Sequence, residues 1–292
     1  MNTIWSTSVA ILFCNSLIAQ GFFVKGIMID SLTKEPIPFA AIQLKNTEIG
    51  TTSNVEGNFE LEIPFDRRHD TLFISCLNYQ TKAIPADQLK EKDNLIALFP
   101  ISYELAEVVV QGKPKRTERL GVYSKQSSSQ FSPWIGHQIA VFIPNHDKSK
   151  GQLKKVGIYL TDWGKPNAPF RIRIYNMGQD SFPDQDILKE SLVIKAEKKG
   201  WFWYDISSYD VYFPENGAFI AMELVFTDKK YYWHHWFGEG EKREKRTRYG
   251  STIGLTKKTD DSWTFFKRTS WKKSFINPSL NAMIAAEVDF FD

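Results

Sequence analysis

The densest group of side chains that could recognise a ligand lies between residues 231 and 250, in the run YYWHHWFGEGEKREKRTRYG. Aromatic rings can stack on the apolar C–H faces of sugar rings, and nearby histidine and charged side chains can hydrogen-bond to the hydroxyl groups. A second aromatic run, GWFWYD, begins at residue 200. The sequence therefore predicts carbohydrate binding. The candidate ligand-binding residues are Tyr231, Trp233, His234, His235, Trp236 and Trp203.

Other interpretations of these two runs stay open. Alternate aromatic side chains could belong to a core, with the rest of the run forming a solvated hairpin. The basic residues between positions 242 and 248 could instead attract anionic lipid or polysaccharide, although interleaved glutamates weaken that positive field. In GWFWYD, Trp201 and Trp203 share one face of a strand, and we expect Trp201 to lie in the core.

The sequence contains no recognisable catalytic arrangement. None of the five histidines is followed three residues later by Glu, and His234 and His235 would point to opposite faces of a strand. There is no GxSxG motif, and Cys76 lies in an apolar strand that suits a structural thiol. Asp184 and Asp186 could contribute to a calcium loop, but a solvated turn is the simpler interpretation. We therefore expect no enzyme activity, no metal site and no cofactor.

The elements that must position the candidate residues are β-strands. Runs such as HQIAVFIPN, LKKVGIYLTD, FRIRIYNM and GAFIAMELVF are separated by Gly, Pro, Asn and Asp turn signals. In FRIRIY the isoleucines face one way, and Arg171 and Arg173 face the other. Many short antiparallel strands over this length suit a jelly-roll sandwich. Their order also resembles jelly-roll domains of exported proteins and, in architecture, carbohydrate-binding modules.

The first part of the chain has its own strand pattern. Phe59, Leu61 and Ile63 alternate with acidic residues, as in a half-buried strand, and LFISCLNY suits a central strand. The order of Gly, Asp, Thr, Pro and Ala positions from Gly26 to Leu61, followed by LAEVVVQG, resembles the carboxypeptidase-regulatory-like domain. That resemblance implies a transthyretin-like β-sandwich, which is an accessory module without catalytic residues in exported proteins of Gram-negative bacteria. The whole chain is thus predicted to be all-β.

Residues 1–20 are predicted to be a signal peptide. A short apolar run precedes a plausible cleavage point after Ala19 or Gln20, although no Lys or Arg precedes that run. A buried N-terminal strand and a lipoprotein signal with a lipidated Cys14 stay open. If Cys14 is removed with the signal, Cys76 is the only remaining cysteine and no intrachain disulfide can form.

Three further segments follow the signal. We assign residues 21–111 to the carboxypeptidase-regulatory-like sandwich and residues 136–292 to the jelly-roll-like sandwich. The intervening residues 112–135 are basic and then serine-rich, so we predict a linker. A similar LxEVVVxG run precedes the plug of TonB-dependent outer-membrane transporters. The remainder of this chain is shorter than their barrel, so we expect a different architecture.

Composition restricts the class of function. A net charge of +3 gives no general attraction to nucleic acid, and no internal run approaches the ~20 apolar residues of a membrane-spanning helix. The sequence favours an exported, non-catalytic protein of the periplasm, the outer-membrane surface or the extracellular space that binds a glycan or another envelope polymer through its C-terminal sandwich. The alternative is a structural or assembly component of the cell envelope with a protein partner. An enzyme with an unrecognised site is the third hypothesis.

Overall fold

The fold consists of β-strands and single-turn 3₁₀ segments, which confirms the all-β prediction. The predicted signal segment and most of the LAEVVVQG run lie outside the described residues. The computed structural model describes residues 21–101, 112–237, 243–257, 264–267, 270–273 and 279–292. In that part of the chain, none of the helical segments has the length and apolar character needed to cross a bilayer.

The first sandwich contains a three-stranded sheet in the order β4-β1-β7 and a four-stranded sheet in the order β3-β2-β5-β6. Its strands are β1 (Phe22–Asp30), β2 (Ala41–Leu44), β3 (Gly50–Thr52), β4 (Asn58–Ile63), β5 (Thr71–Ser75), β6 (Lys82–Pro85) and β7 (Asn94–Leu98). β1 and β7 run parallel, whereas the other pairs are antiparallel. Short 3₁₀ turns at Phe65–Arg67 and Ala86–Gln88 complete it.

The first core lies between these two sheets. In β4, Phe59, Leu61 and Ile63 are buried and alternate with exposed side chains, as the sequence pattern predicted. They pack with buried residues of both sheets, including Val24 and Leu72. Alternation along the strand thus places one face in the core and leaves the acidic face outside.

The strands of the second sandwich follow after residue 112. They are β8 (Arg116–Gly121), β9 (Ser129–Phe131), β10 (Gln138–Ile143), β11 (Gly151–Leu160), β12 (Phe170–Met177), β13 (Pro183–Asp186), β14 (Leu192–Ile194), β15 (Gly200–Asp205), β16 (Tyr212–Phe213), β17 (Ala218–Leu224), β18 (Tyr232–Phe237), β19 (Glu244–Tyr249), β20 (Ile253–Lys257), β21 (Thr264–Lys267), β22 (Trp271–Lys273), β23 (Leu280–Ala282) and β24 (Ile284–Phe290). Two more 3₁₀ turns span Ser207–Tyr209 and Lys229–Tyr231.

Most of these strands form two sheets that enclose a second, larger core. One sheet has the order β13-β12-β17-β10-β21-β22 with β14 beside β12. The other has the order β23-β20-β11-β24-β8, with β15 and β16 beside β11 and β9 beside β20. Branched aliphatic side chains such as Ile172, Ile220 and Ile158 fill the space between the sheets. Among the described residues, β18 and β19 pair with each other and with no other strand.

Part of the predicted linker belongs to the second sandwich. β8 pairs with β24 from Arg116 opposite Phe290 to Gly121 opposite Ala285, and β9 pairs with β20. These segments are polar in composition. They lie at the margin of the sheet, where backbone hydrogen bonds rather than burial of apolar side chains hold them. The guanidinium of Arg116 also lies 4.5 Å from the centre of the Phe290 ring.

The two sandwiches contact each other through a buried charged cluster on the outer face of the seven-stranded sheet. Arg171 Nη2 donates to the backbone carbonyl of Phe39 at 2.6 Å. Arg171 Nη1 and Arg173 Nε both donate to Glu223 Oε2, at 3.3 and 2.7 Å. The three charged side chains are almost completely buried. The sheet face that carries Arg171 and Arg173 and points away from the core therefore contacts protein rather than solvent.

A second carboxylate, Asp186, extends this charged cluster. Its Oδ2 atom lies 3.3 Å from Arg173 Nη1. Burial raises the pKa of Asp186 to about 6, even though Arg173 opposes that shift. At Glu223 burial also opposes ionisation, but the two guanidinium groups hold its pKa below the ordinary value. The calcium-loop hypothesis does not suit this geometry, because Asp186 faces a cation and Asp184 is exposed.

The raised pKa of Asp186 predicts a pH dependence of stability. Between about pH 4 and pH 6 the folded protein binds this proton more tightly than the unfolded chain, so the stabilisation is complete below that range and is lost as the pH rises through 6. Relative to an Asp186→Asn variant, the wild-type protein should lose about 1–3 kcal/mol of unfolding free energy between about pH 4 and pH 7. Urea unfolding of both proteins across that range measures this difference. A difference that is constant with pH would contradict the prediction.

Candidate functional site

The aromatic run between residues 231 and 250 forms a β-hairpin, β18–β19. Tyr232 lies opposite Tyr249, His234 opposite Thr247 and Trp236 opposite Lys245. The base of the hairpin is fixed by the preceding turn, where the Asp228 side chain accepts a hydrogen bond from the backbone N–H of Lys230 at 2.9 Å. The Tyr249 hydroxyl also accepts from the backbone N–H of residue 227, at 2.9 Å.

One face of the hairpin presents polar and aromatic side chains to solvent. Tyr232, His234 and Trp236 alternate along β18, and the two aromatic residues of this set are 41% and 52% exposed. The His234 Nδ1 atom lies 3.1 Å from the Thr247 hydroxyl across the pair. The Arg243 guanidinium lies 5.8 Å from the centre of the Trp236 ring. This set, Tyr232, His234 and Trp236, is the exposed hairpin face.

The opposite face of the hairpin packs against a loop of the second sandwich. The Trp163 ring lies 3.9 Å from the His235 ring and 6.4 Å from the Trp233 ring, measured between centroids. Trp233 Nε1 donates to the carbonyl of Gly250 at 3.1 Å. A Cβ atom on Gly164 would lie 2.6 Å from that same carbonyl oxygen, so only glycine allows the loop to approach so closely. Trp233 and His235 therefore hold the hairpin in place.

Of the other candidate residues, Tyr231 is half-buried at the turn, with its ring edge-on to Tyr249 at 6.4 Å. Trp203 belongs to a different sheet, on the outer face of β15. Its indole lies over Gly157, where a Cβ atom would be 2.7 Å from the ring, and the Arg119 guanidinium lies 4.7 Å from the ring centre. Trp203 also stacks on Trp201 at 5.5 Å. The structure therefore does not bring Trp203 together with the hairpin candidates, and its ring is already in contact with these neighbours.

The expectation that Trp201 lies in the core is wrong in detail. Trp201 is half-buried at the edge of the core, on the same outer face as Trp203. Its ring stacks on Tyr123 at 4.8 Å, and its Nε1 atom donates to the carbonyl of Ser124 at 2.8 Å. The inward face of this strand is supplied by Phe202, whose ring lies edge-on to the buried Phe170 at 6.2 Å.

A cleft of about 480 Å³ separates the hairpin from the first sandwich. Tyr232 and Thr247 line one wall, and Phe23 and Glu62 of the first sandwich line the other. Arg248 bridges the two sides, since its Nη1 atom lies 3.6 Å from a carboxylate oxygen of the first sandwich and its guanidinium lies 5.0 Å from the Trp134 ring centre. The candidate site thus combines the exposed hairpin face with this cleft.

The cleft continues into a larger one of about 830 Å³. Both clefts are lined by Thr51, Glu60 and Phe226. The larger cleft adds polar side chains of the first sandwich, among them Lys25 and Asn58. Lys25 Nζ lies 3.1 Å from Glu60 Oε2. We call the two clefts together the intersandwich groove.

The candidate list drawn from the sequence left out Tyr232 and Phe23, and it did not include Trp163, which supports the hairpin from its opposite face. Tyr232 could have been found, because period-two alternation places it on one face with His234 and Trp236. Phe23 and Trp163 are distant in sequence from the hairpin, and only the tertiary fold brings them to it.

The described residues show no arrangement typical of catalysis. Within those ranges, no three or more His, Cys, Asp or Glu side chains come together as a metal ion would require. The thiol of Cys76 packs against the first core, and burial raises its pKa, which disfavours the reactive thiolate. The His69 ring contacts Asp87 at 2.8 Å on an exposed surface.

Fold and site together define a two-sandwich, all-β protein with an aromatic hairpin beside a groove. Residues 24–110 match the family model of the CarboxypepD_reg-like domain, so this segment is a member of that domain family. The prediction made from the Gly26-to-Leu61 motif order is confirmed.

Two curated relatives are receptors of similar sequence over about half of this chain. A stretch of 161 residues is 26% identical to TonB-dependent receptor P3 of Formosa agariphila, covering 53% of this chain and 15% of that receptor. A stretch of 159 residues is 29% identical to TonB-dependent receptor SusC of Bacteroides thetaiotaomicron, covering 53% of this chain and 14% of that receptor. The chain therefore spans only a small part of either relative's length.

Among solved structures, the cysteine protease and lectin-like domains of Cwp84, a surface layer associated protein of Clostridium difficile, align with this chain. The TM-score is 0.41 and the sequence identity 11%, over 95% of this chain and 60% of that chain. A similarity at this level carries no argument about fold or function.

Proposed function

We propose that this chain is a non-catalytic binding protein of the bacterial cell envelope that recognises a glycan chain through the exposed hairpin face of its second sandwich. The envelope setting is supported by the regulatory-like module and by the receptors that share part of this sequence. The export signal predicted for residues 1–20 agrees with that setting. A binding role rather than catalysis is supported by the accessory nature of the module.

The observation that carries the glycan proposal is the exposed hairpin face. Trp236 and Tyr232 expose about half of their surface, although aromatic side chains are usually buried. They lie on either side of His234 on one strand face, so a strand rise of about 3.3 Å per residue separates them by roughly 13 Å. Two apolar rings at this separation with a hydrogen-bonding side chain between them suit an extended chain of sugar rings.

Replacing Trp236 with alanine should weaken polysaccharide binding about tenfold or more, because an exposed aromatic anchor commonly contributes above 1.4 kcal/mol to binding. The protein should first be screened on a broad glycan array. Isothermal titration with the best soluble array ligand then compares the wild-type protein with the variant.

Phe65→Ala is the matched control for this measurement, because Phe65 is an aromatic residue of similar exposure, 55%, on the first sandwich and lines neither cleft. It should retain most of the affinity. Loss of binding in Phe65→Ala but not in Trp236→Ala would move the site away from the hairpin face. No binding to any glycan by the folded wild-type protein would reject the proposal.

A second candidate function is that of an envelope assembly component with a protein partner. It is favoured by apolar side chains on the surface of the first sandwich, where Leu95 near the start of β7 and Phe99 just after its end are 67% and 57% exposed. Exposed apolar side chains of this kind suit contact with another protein surface. If glycan binding fails, cross-linking through cysteines placed at Leu95 and Phe99 in envelope preparations is the experiment that tests this candidate.

A further inference from the structure

We infer that the regulatory-like module supplies one wall of the binding site, so that a neutral polysaccharide lies along the intersandwich groove in contact with both sandwiches. This inference rests on the proposed function and extends it. It assigns ligand contacts to Phe23, Glu62 and Asn58, which belong to a module that the sequence analysis treated as an accessory domain. It also assigns the groove a chemical class of ligand.

The groove is continuous with the exposed hairpin face. Tyr232 belongs to both, since it lies on that face and lines the smaller cleft. The smaller cleft meets the larger one at Thr51, Glu60 and Phe226. A chain that stacks on Trp236 and Tyr232 is therefore directed into the space between the sandwiches.

The wall that the module supplies carries groups that can contact sugar rings and hydroxyls. Phe23 is 42% exposed and faces the cleft opposite Tyr232, so aromatic rings line both sides. Asn58, Glu60 and Glu62 alternate outward along β4, and all three are exposed. A wall with an aromatic ring and a row of amide and carboxylate groups can stack on one sugar ring and hydrogen-bond to the hydroxyls of others.

The charges that line the groove favour a ligand without net charge. The carboxylate of Glu60 is paired with Lys25 at 3.1 Å, and Glu48 lies 3.6 Å from Arg248. Charges of both signs are therefore matched within the groove, and neither sign dominates it. A polymer with many hydroxyl groups and no net charge suits such a surface better than an anionic one.

The position of the module relative to the hairpin is fixed by contacts elsewhere in the interface. The Thr52 hydroxyl donates to the carbonyl of Phe226 at 2.8 Å. The Asn78 amide donates to the carbonyl of Lys189 at 3.0 Å, and the Gln43 side chain contacts the His137 ring. Since these contacts hold the two walls together, the groove is preformed and its ligand does not have to assemble it.

The experiment is affinity electrophoresis of the whole protein in gels that contain one polysaccharide each. The neutral probes are a mixed-linkage glucan, an arabinoxylan and a galactomannan, and the anionic probes are polygalacturonate and alginate. Five proteins are compared in every gel: wild type, Trp236→Ala, Phe23→Ala, Glu62→Gln and Phe65→Ala. Phe65 is the matched control for Phe23, because it is 55% exposed on the same module and lines neither cleft.

We expect at least one neutral probe to retard the wild type and Phe65→Ala equally, and Trp236→Ala and Phe23→Ala about tenfold less. Glu62→Gln, which keeps the fold and the shape of the side chain, should weaken retardation severalfold. Because no net charge is recognised, the wild-type dissociation constant should change less than about twofold between about 50 and about 500 mM NaCl.

Three other outcomes would each reject a stated part of the proposal. If Trp236→Ala loses retardation while Phe23→Ala and Glu62→Gln behave as wild type, glycan binding by the hairpin stands and the shared groove is rejected. If only anionic probes retard the protein and salt abolishes the effect, the neutral ligand class is rejected. If no probe retards the wild type, the proposed function and this inference fail together.

Discussion

Replacing Glu223 with alanine is expected to destabilise the folded protein by about 3–5 kcal/mol, the range observed when one partner of a buried ion pair is removed. Glu223 Oε2 accepts from both Arg171 and Arg173, and the Glu223 side chain is only 1% exposed. Without this carboxylate two guanidinium groups lie close together, with Asp186 as the remaining acid beside them. The destabilisation arises because two buried positive charges would no longer be neutralised by Glu223. It does not require the native cluster itself to be strongly stabilising.

Urea unfolding followed by two signals tests this expectation. Residues 21–133 contain no tryptophan, so tryptophan fluorescence reports the second sandwich, whereas far-ultraviolet circular dichroism reports both. Asp162→Ala serves as control, because the Asp162–Lys199 pair is short, at 2.6 Å, but exposed to solvent, and its removal should leave the midpoint unchanged. A Glu223→Ala midpoint within error of the control would show that the cluster is not buried as described.

The charged cluster also shows where prediction from sequence ends. Alternation in FRIRIY correctly placed Arg171 and Arg173 on the face that points away from the core, because side-chain direction along a strand is a local property. What lies against that face is a tertiary property. Phe39, whose carbonyl receives the Arg171 hydrogen bond, is 132 positions away in the chain, and no periodicity in either segment encodes this contact.

At the candidate site, too, local features could be predicted from the sequence and tertiary contacts could not. Aromatic composition identified the hairpin, but the six candidate residues were chosen without separating the two faces of the strand. The fold places Trp233 and His235 against Trp163, and it places Trp203 on another sheet. β8 and β9 escaped prediction for a related reason, because strands recruited by backbone pairing at the margin of a sheet need few apolar side chains.

Replacing Gly26 with alanine should also have a large effect, about 1–3 kcal/mol of destabilisation or more, as expected when a packed interior is overfilled. β1 lies between β4 and β7, and a Cβ atom on Gly26 would be 2.3 Å from the backbone oxygen of Asn94 and 2.8 Å from the Phe59 ring. Moving the start of β7 away from Gly26 would break hydrogen bonds. The Asn94 amide donates to the carbonyls of Lys25 and Lys90, both at 2.7 Å.

Thermal unfolding of Gly26→Ala beside Gly178→Ala provides the measurement. Gly178 has no positive φ, and no atom would lie closer than 3.1 Å to an added Cβ. The nearest are Asp180 Oδ1, at the end of an exposed side chain, and Asp184 Cβ, so the neighbours need to shift only slightly. The control should therefore unfold close to the wild-type temperature, and Gly26→Ala clearly below it. If both variants unfold with the wild type, β1 and β7 do not approach as closely as described. The glycine at position 26 would then be required for backbone freedom rather than for close packing.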